Sequence, residues 1–110
     1  MLHVTIYRDK KKKIRSYEAS GHCGFEEEGK DIVCSGASTL LQVSILGIDK
    51  YCNIKPEVNI SRGNLTCKIP ELKDNLVGRD IQTILETMFI GLTEIEKQYP
   101  EYLKVNLIQD

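Results

Sequence analysis

The sequence contains no tryptophan, only two phenylalanines and five tyrosines in 110 residues. With so little aromatic volume, its core must be built mainly from Ile, Leu and Val. It has no dominant charge either. Fifteen basic and sixteen acidic side chains leave a net charge of -1, so nothing in the bulk charge favours nucleic acid or an acidic membrane. The one basic run, Lys10-Lys11-Lys12-Lys13, reads as a solvated hairpin turn rather than a phosphate-binding patch. No apolar block opens the chain: Met1-Leu2-His3-Val4-Thr5-Ile6-Tyr7 alternates, so no secretion signal is read there. Ser35 to Ile48, the longest weakly polar stretch, is too short and too rich in Ser and Thr for a membrane span. A cytoplasmic protein is expected. The four cysteines, Cys23, Cys34, Cys52 and Cys67, lie 11, 18 and 15 residues apart with no C-x-x-C pair, which disfavours a structural zinc site. In a reducing compartment all four are expected as free thiols. No repeat, linker or low-complexity segment divides the chain, so residues 1–110 are read as a single domain.

What is present is a clear succession of patterns. Leu2 to Tyr7 alternates as a strand, Arg8 to Lys12 reads as a turn, and Ile14 to Ser20 as the returning strand. Gly21 to Lys30 carries Gly21, Gly24 and Gly29 around Glu26-Glu27-Glu28 and reads as a loop. Asp31 is taken as the N-cap of a largely buried helix from about Ile32 to Tyr51, with Val33, Ala37, Leu40, Leu41, Ser44, Ile45 and Ile48 on its apolar face. Glu57–Ser61 and Asn64–Ile69 flank Arg62-Gly63 as a second hairpin. A second helix runs from Asp74 or Asn75 to Gln98, with Leu76, Ile81, Ile84, Leu85, Met88, Leu92 and Ile95 as its stripe. Tyr102 to Ile108 alternates as a last strand. The fold class is therefore α+β, two helices on a mostly antiparallel sheet in the order ββαββαβ.

One segment carries chemistry. His22 sits between the glycine-flanked exit of a strand and a Gly-rich loop, and Cys34 follows in the early part of the next helix. With Asp31 as cap, Cys34 would be the third helical residue, beside N–H groups that lack intrahelical partners. The positive helix end and a nearby imidazolium would both favour its thiolate, and the free N–H groups could hold an oxyanion. On position alone, Cys34 is equally well read as a small buried hydrophobe; the glycine-flanked His22 tips it toward function. His22 alone would be a surface residue at a loop entrance. Asp31 could either cap the helix or orient His22, and the structural role is favoured because a carboxylate beside Cys34 opposes thiolate formation. Ser38, one turn after Cys34, either supports the site or is a small packing residue. Gly36 and Ala37 keep the helix slim. His3 is expected to be exposed on the first strand, Cys23 to be incidental, and Cys52 and Cys67 to be core or edge residues. The three glutamates read as a solvated loop face, one that could meet a basic substrate, rather than as glycosidase acids.

Gly21-His22, followed by Gly29-x-Asp31-Ile32-Val33-Cys34-x-Gly36-Ala37-Ser38, resembles the signature of the bacterial ribosomal-processing cysteine proteases, the Prp family. The resemblance extends to length and element order. It implies a cysteine endopeptidase that removes a short N-terminal extension from a large-subunit ribosomal protein, cutting after an aromatic pair and before a small residue. It implies His22 as base and Cys34 as nucleophile, with Gly21, Asp31 and Ser38 matching further motif positions. It also implies a homodimer, a Gly-rich lid over the site, and chemistry that needs no metal or other cofactor. Two other readings remain open. One is a non-catalytic ribosome-assembly or protein-binding module in which His22 and Cys34 are structural. The other is a redox-sensing thiol protein in which Cys34 pairs with Cys23.

Overall fold

A computed structural model describes residues 1–21 and 28–110, with residues 28–31 described as backbone only. The elements follow the expected order: β1 (Leu2–Arg8), β2 (Ile14–Ser20), α1 (Glu28–Leu46), β3 (Glu57–Ser61), β4 (Asn64–Lys68), α2 (Leu76–Gln98) and β5 (Leu103–Gln109). A π-helical turn over Gly47–Tyr51 extends α1.

The five strands form one mixed sheet in the order β3-β4-β2-β1-β5. The two hairpins join through antiparallel β2–β4 pairing, and β5 adds parallel to β1. Register places apolar residues in rows across the sheet. Ile60, Leu65, Ala19, Val4 and Val105 form one row; Val58, Cys67, Tyr17, Ile6 and Leu107 form the next. The inner members of each row are buried. Of the four outermost, Ile60 and Leu107 are exposed at the two sheet edges, and Val58 and Val105 are half-buried against the core. The opposite sheet face is polar, as the period-two alternation requires. There Tyr7 donates to Glu18 Oε1 at 2.7 Å. His3 is exposed, as expected.

The β1–β2 turn is organised by Asp9. Its carboxylate Oδ1 accepts from the N–H groups of Lys11 and Lys13, Lys12 takes a left-handed φ of 66°, and all four lysines are exposed. This is the solvated turn that the sequence implied.

Both helices belong to the layer packed on the sheet. The expected face of α1 is inward: Val33, Ala37, Leu41, Ser44 and Ile48 are buried, and Leu40 and Ile45 pack against them. Tyr17 donates its buried hydroxyl to Leu41 O at 2.8 Å, pinning α1 to β2. The helices pack antiparallel: Gly36 faces Ile95, Gly91 faces Leu40 and Gly47 faces Ile84. Two polar clamps fix α2 to the first hairpin. Arg8 makes a bidentate pair with Glu86, at 2.7 and 2.6 Å, and lies over the Phe89 ring. Gln82 bonds both the N–H and the C=O of Ile14.

Four expectations need correction. Helix α1 begins at Glu28, not Ile32, so Asp31 is not its N-cap. An acidic sequence at a helix start is itself favoured by the helix dipole, and that outweighs reading Glu28-Gly29-Lys30 as loop. Second, α1 is buried on one side only: Ile32, Val43 and Leu46 are exposed, because the sheet and α2 cover one face. Third, the apolar stretch is longer than Ser35 to Ile48. Residues Ile32–Tyr51, with mean hydropathy 1.5, are by length and composition long enough to cross a membrane, and a third of that stretch is buried in the fold. Fourth, Leu76 is 74% exposed, because the first residue of α2 lies outside the stripe that reaches the core. Asn75 is the N-cap of α2, accepting from Gly78 N–H at 2.9 Å.

Candidate active site

Gly21 ends β2 with φ +130°, a conformation that side chains rarely adopt. Its N–H donates to Gly63 O at 3.0 Å, in the β3–β4 turn. A Cβ here would lie 2.3 Å from Met1 O and 3.1 Å from Leu2 Cα. Glycine is therefore required by both torsion and space, and it fixes where the chain leaves the sheet just before His22. Gly21→Ala is expected to destabilise the protein by about 1–3 kcal/mol, seen as a lower denaturant midpoint. An unchanged midpoint would show that the backbone relaxes at no cost.

His22, Cys23 and the Glu26-Glu27 part of the acidic run lie outside the described residues, as does most of the loop read as a lid. Asp31 is placed in the first turn of α1.

Cys34 is the seventh residue of α1, not the third. It is 2% exposed and belongs to the core cluster. Its own N–H falls within the ladder that an α-helix makes from its fifth residue onward, and the dipole's influence fades beyond the first turn. Helix position therefore contributes less to a Cys34 thiolate than the sequence suggested. Cys34 is also disulfide-bonded, whereas Cys52 and Cys67 are free thiols. The expectation of four free thiols holds for those two and fails for Cys34.

Ser38 is half-buried one turn beyond Cys34. With Ser35, Thr39, Gln42, Val43 and Leu46 it lines a shallow groove of about 420 Å³ along α1. Of these residues, the sequence reading singled out only Ser38. Their i, i+3, i+4 and i+7 spacing is the signal that one groove collects them. Gly36 is less critical than it looked: a Cβ there meets only Ile95 Cδ1, at an ordinary 3.6 Å.

Both free thiols are held in the neutral form. Burial pushes the Cys67 thiol up to about 11, partly offset by its hydrogen bond with Tyr17. Burial, then the Asp80 charge, also raises Cys52. For Cys67 the sign is definite. The unfolded thiol ionises near 9.0 and the folded one near 11, so the unfolded chain releases its proton first. Its contribution is full below pH 9 and is lost as pH rises toward 11, by about 2–3 kcal/mol. Tyr17, raised chiefly by burial, acts in the same direction. Denaturant midpoints measured at about pH 8 and about pH 11 should fall in that order, and Cys67→Ala should reduce the slope.

Comparison with known proteins places this arrangement. Residues 1–104 match the family model described as Cysteine protease Prp. The ribosomal processing cysteine protease Prp of Bacillus subtilis (strain 168) is 30% identical over 107 residues, spanning 96% of each chain. The crystal structure of an essential ribosomal processing protease Prp from S. aureus with a substrate peptide superimposes with a TM-score of 0.84 at 28% identity, covering 97% of this chain and 99% of that one. The same S. aureus protease with a covalently linked product peptide gives a TM-score of 0.83 at 29% identity, over the same shares of the two chains. By sequence across nearly its whole length, and by fold, this chain belongs to the Prp family of cysteine proteases.

Proposed function

We propose that the chain is an endopeptidase in which Cys34 is the nucleophile and His22 the base, and that it removes the N-terminal extension of a large-subunit ribosomal protein in the cytoplasm. The observation that carries this reading is the whole-length family match, joined to a relative of the same fold whose product peptide is covalently linked.

In the reduced protein, His22 takes the proton of Cys34. The thiolate attacks the scissile carbonyl, and backbone N–H donors hold the oxyanion. Because Cys34 lies two turns into α1, those donors come from elsewhere than its own peptide group. Protonated His22 gives its proton to the leaving amine, and a water activated by the same imidazole hydrolyses the thioester. Gly21 sets the exit of the chain toward His22. Ser38, one turn beyond Cys34, lines the groove along α1 and is assigned a supporting role. Asp31 is assigned a supporting role in the first turn of α1, without a cap.

The test is cleavage by the reduced enzyme of a synthetic peptide bearing an aromatic-aromatic-small site, against a scrambled control. Selective cleavage supports the reading. Binding of the peptide without turnover would favour the protein-binding module.

We propose further that the chain is a homodimer. Ile32, Val43, Leu46 and Tyr51 form an exposed apolar strip along α1 and its π-helical end, the kind of surface that a second copy covers. Sedimentation should give a dimer mass, and Val43→Glu with Leu46→Glu should shift it to monomer.

A further inference from the structure

The sheet has two edges, β3 and β5, and they are finished differently. On β5 the N–H of Val105 donates to Glu96 Oε2 of α2 at 2.7 Å, and that of Leu103 to Tyr99 O at 3.2 Å. Neither group is open to another strand. β3 has no such cover among the described residues. Ser61 pairs with Asn64 across the two-residue turn, so the backbone groups of Ser61, Asn59 and Glu57 are turned to β4. Those of Val58 and Ile60 point off the edge, by the alternation of an antiparallel ladder. The side chains of the same two residues lie on the inner face, and with Ile45 and Leu46 of α1 and Pro56 they line an apolar groove of about 340 Å³. Ile60 is 66% and Leu46 49% exposed, so the groove stands open to water beside an unpaired strand. The two charges that line it, Asp49 and Lys55, pair with each other at 3.1 Å, which leaves a site suited to an apolar side chain.

The groove shares Gln42 and Leu46 with the groove that passes Ser35 and Ser38, the residues on either side of Cys34 along α1. The two make one path along the helix. From Cys34 to Ile45 and Leu46 it is roughly 17 Å along the axis, which an extended chain covers in about five residues. β3 itself runs toward the Arg62-Gly63 turn, where Gly63 O accepts from Gly21 N–H. We propose that the groove between β3 and the end of α1 is a specificity subsite for the substrate polypeptide. A segment about five residues from the scissile bond adds to β3 as a further strand, and one of its large apolar side chains enters the groove. This rests on the assignment of Cys34 as nucleophile. Backbone bonds to Val58 and Ile60 supply affinity for any sequence, and the groove supplies the choice of side chain. So far from the reacting bond, the contact acts on KM rather than on the chemical step. Leu46 also belongs to the strip assigned above to a second copy, so Ile60, on the opposite wall and outside that strip, is the residue to vary.

The test peptides carry the aromatic-aromatic-small core and a polar arm of about eight residues on one side of it or the other. A single leucine is moved along the arm, from about the third to about the seventh residue from the scissile bond. KM is measured with the reduced wild-type chain, and Kd by calorimetry with Cys34→Ala. On one of the two arms both should pass through a minimum near the fifth residue. It should lie at least about tenfold below the same arm with serine in that place, the value of burying one leucine. Methylating the arm's backbone N–H groups at alternate positions should erase the minimum for the set that faces β3 and spare it for the other. Ile60→Lys should erase the minimum as well, and Ile60→Val should keep it. Cleavage whose KM ignores the leucine on both arms, with a Kd equally flat, overturns the subsite and leaves the protease reading standing. A flat profile together with a lower sedimentation mass for Ile60→Lys gives the edge to a second copy and overturns the subsite too. A minimum in Kd without turnover by the wild type overturns the protease reading instead, so the two failures are told apart.

Discussion

Cys34→Ala should abolish peptide hydrolysis, lowering kcat by at least about 10³-fold relative to the reduced wild type, because no other group can form the thioester. The substitution is a clean one. Cys34 is buried on the inner side of α1, so alanine removes one sulfur from the core and leaves a small void, at a cost of about 1 kcal/mol. Alanine is also a strong helix former, so α1 should be preserved. Circular dichroism should therefore report a folded protein that has lost activity. The two free thiols cannot take over, since burial holds both in the neutral form. Turnover within tenfold of the wild type would refute the nucleophile assignment outright. Loss of activity together with loss of the fold would identify Cys34 as a core residue.

His22→Ala should lower kcat by about 10²–10⁴-fold, the usual value of a positioned general base. The upper part of that range is expected. With Cys34 seven residues into α1, the helix start offers its sulfur little help, and the imidazole must favour the thiolate almost alone. Alkylation of reduced Cys34 should follow a depressed thiol pKa in the wild type and return to about 8.5 in the variant. Identical alkylation profiles would show that His22 does not touch the sulfur's proton. The stability cost should be small, since the backbone at this point is already set by Gly21 and its bond to Gly63.

The strands, both helices and the turn chemistry were legible because they depend on neighbours in sequence. Alternation at Leu2, Val4 and Ile6 places one face of β1 inward whatever lies opposite it. Asn75 and the spacing of Ile81, Leu85, Met88 and Leu92 specify α2 in the same local way. The start of α1 was misread because an acidic, glycine-containing segment satisfies both a loop and a dipole-favoured first turn, and composition alone does not choose between them.

The sequence by itself determined the element order and the inward faces, since each is a matter of periodicity or spacing along the chain. Only the tertiary structure decided that β5 runs parallel to β1, that Met1 and Gly63 close on Gly21, and that Cys34 is sealed into the core with its sulfur in a disulfide. These are contacts that the fold makes between separate elements. Their energies depend on which surfaces meet, and no local pattern records that.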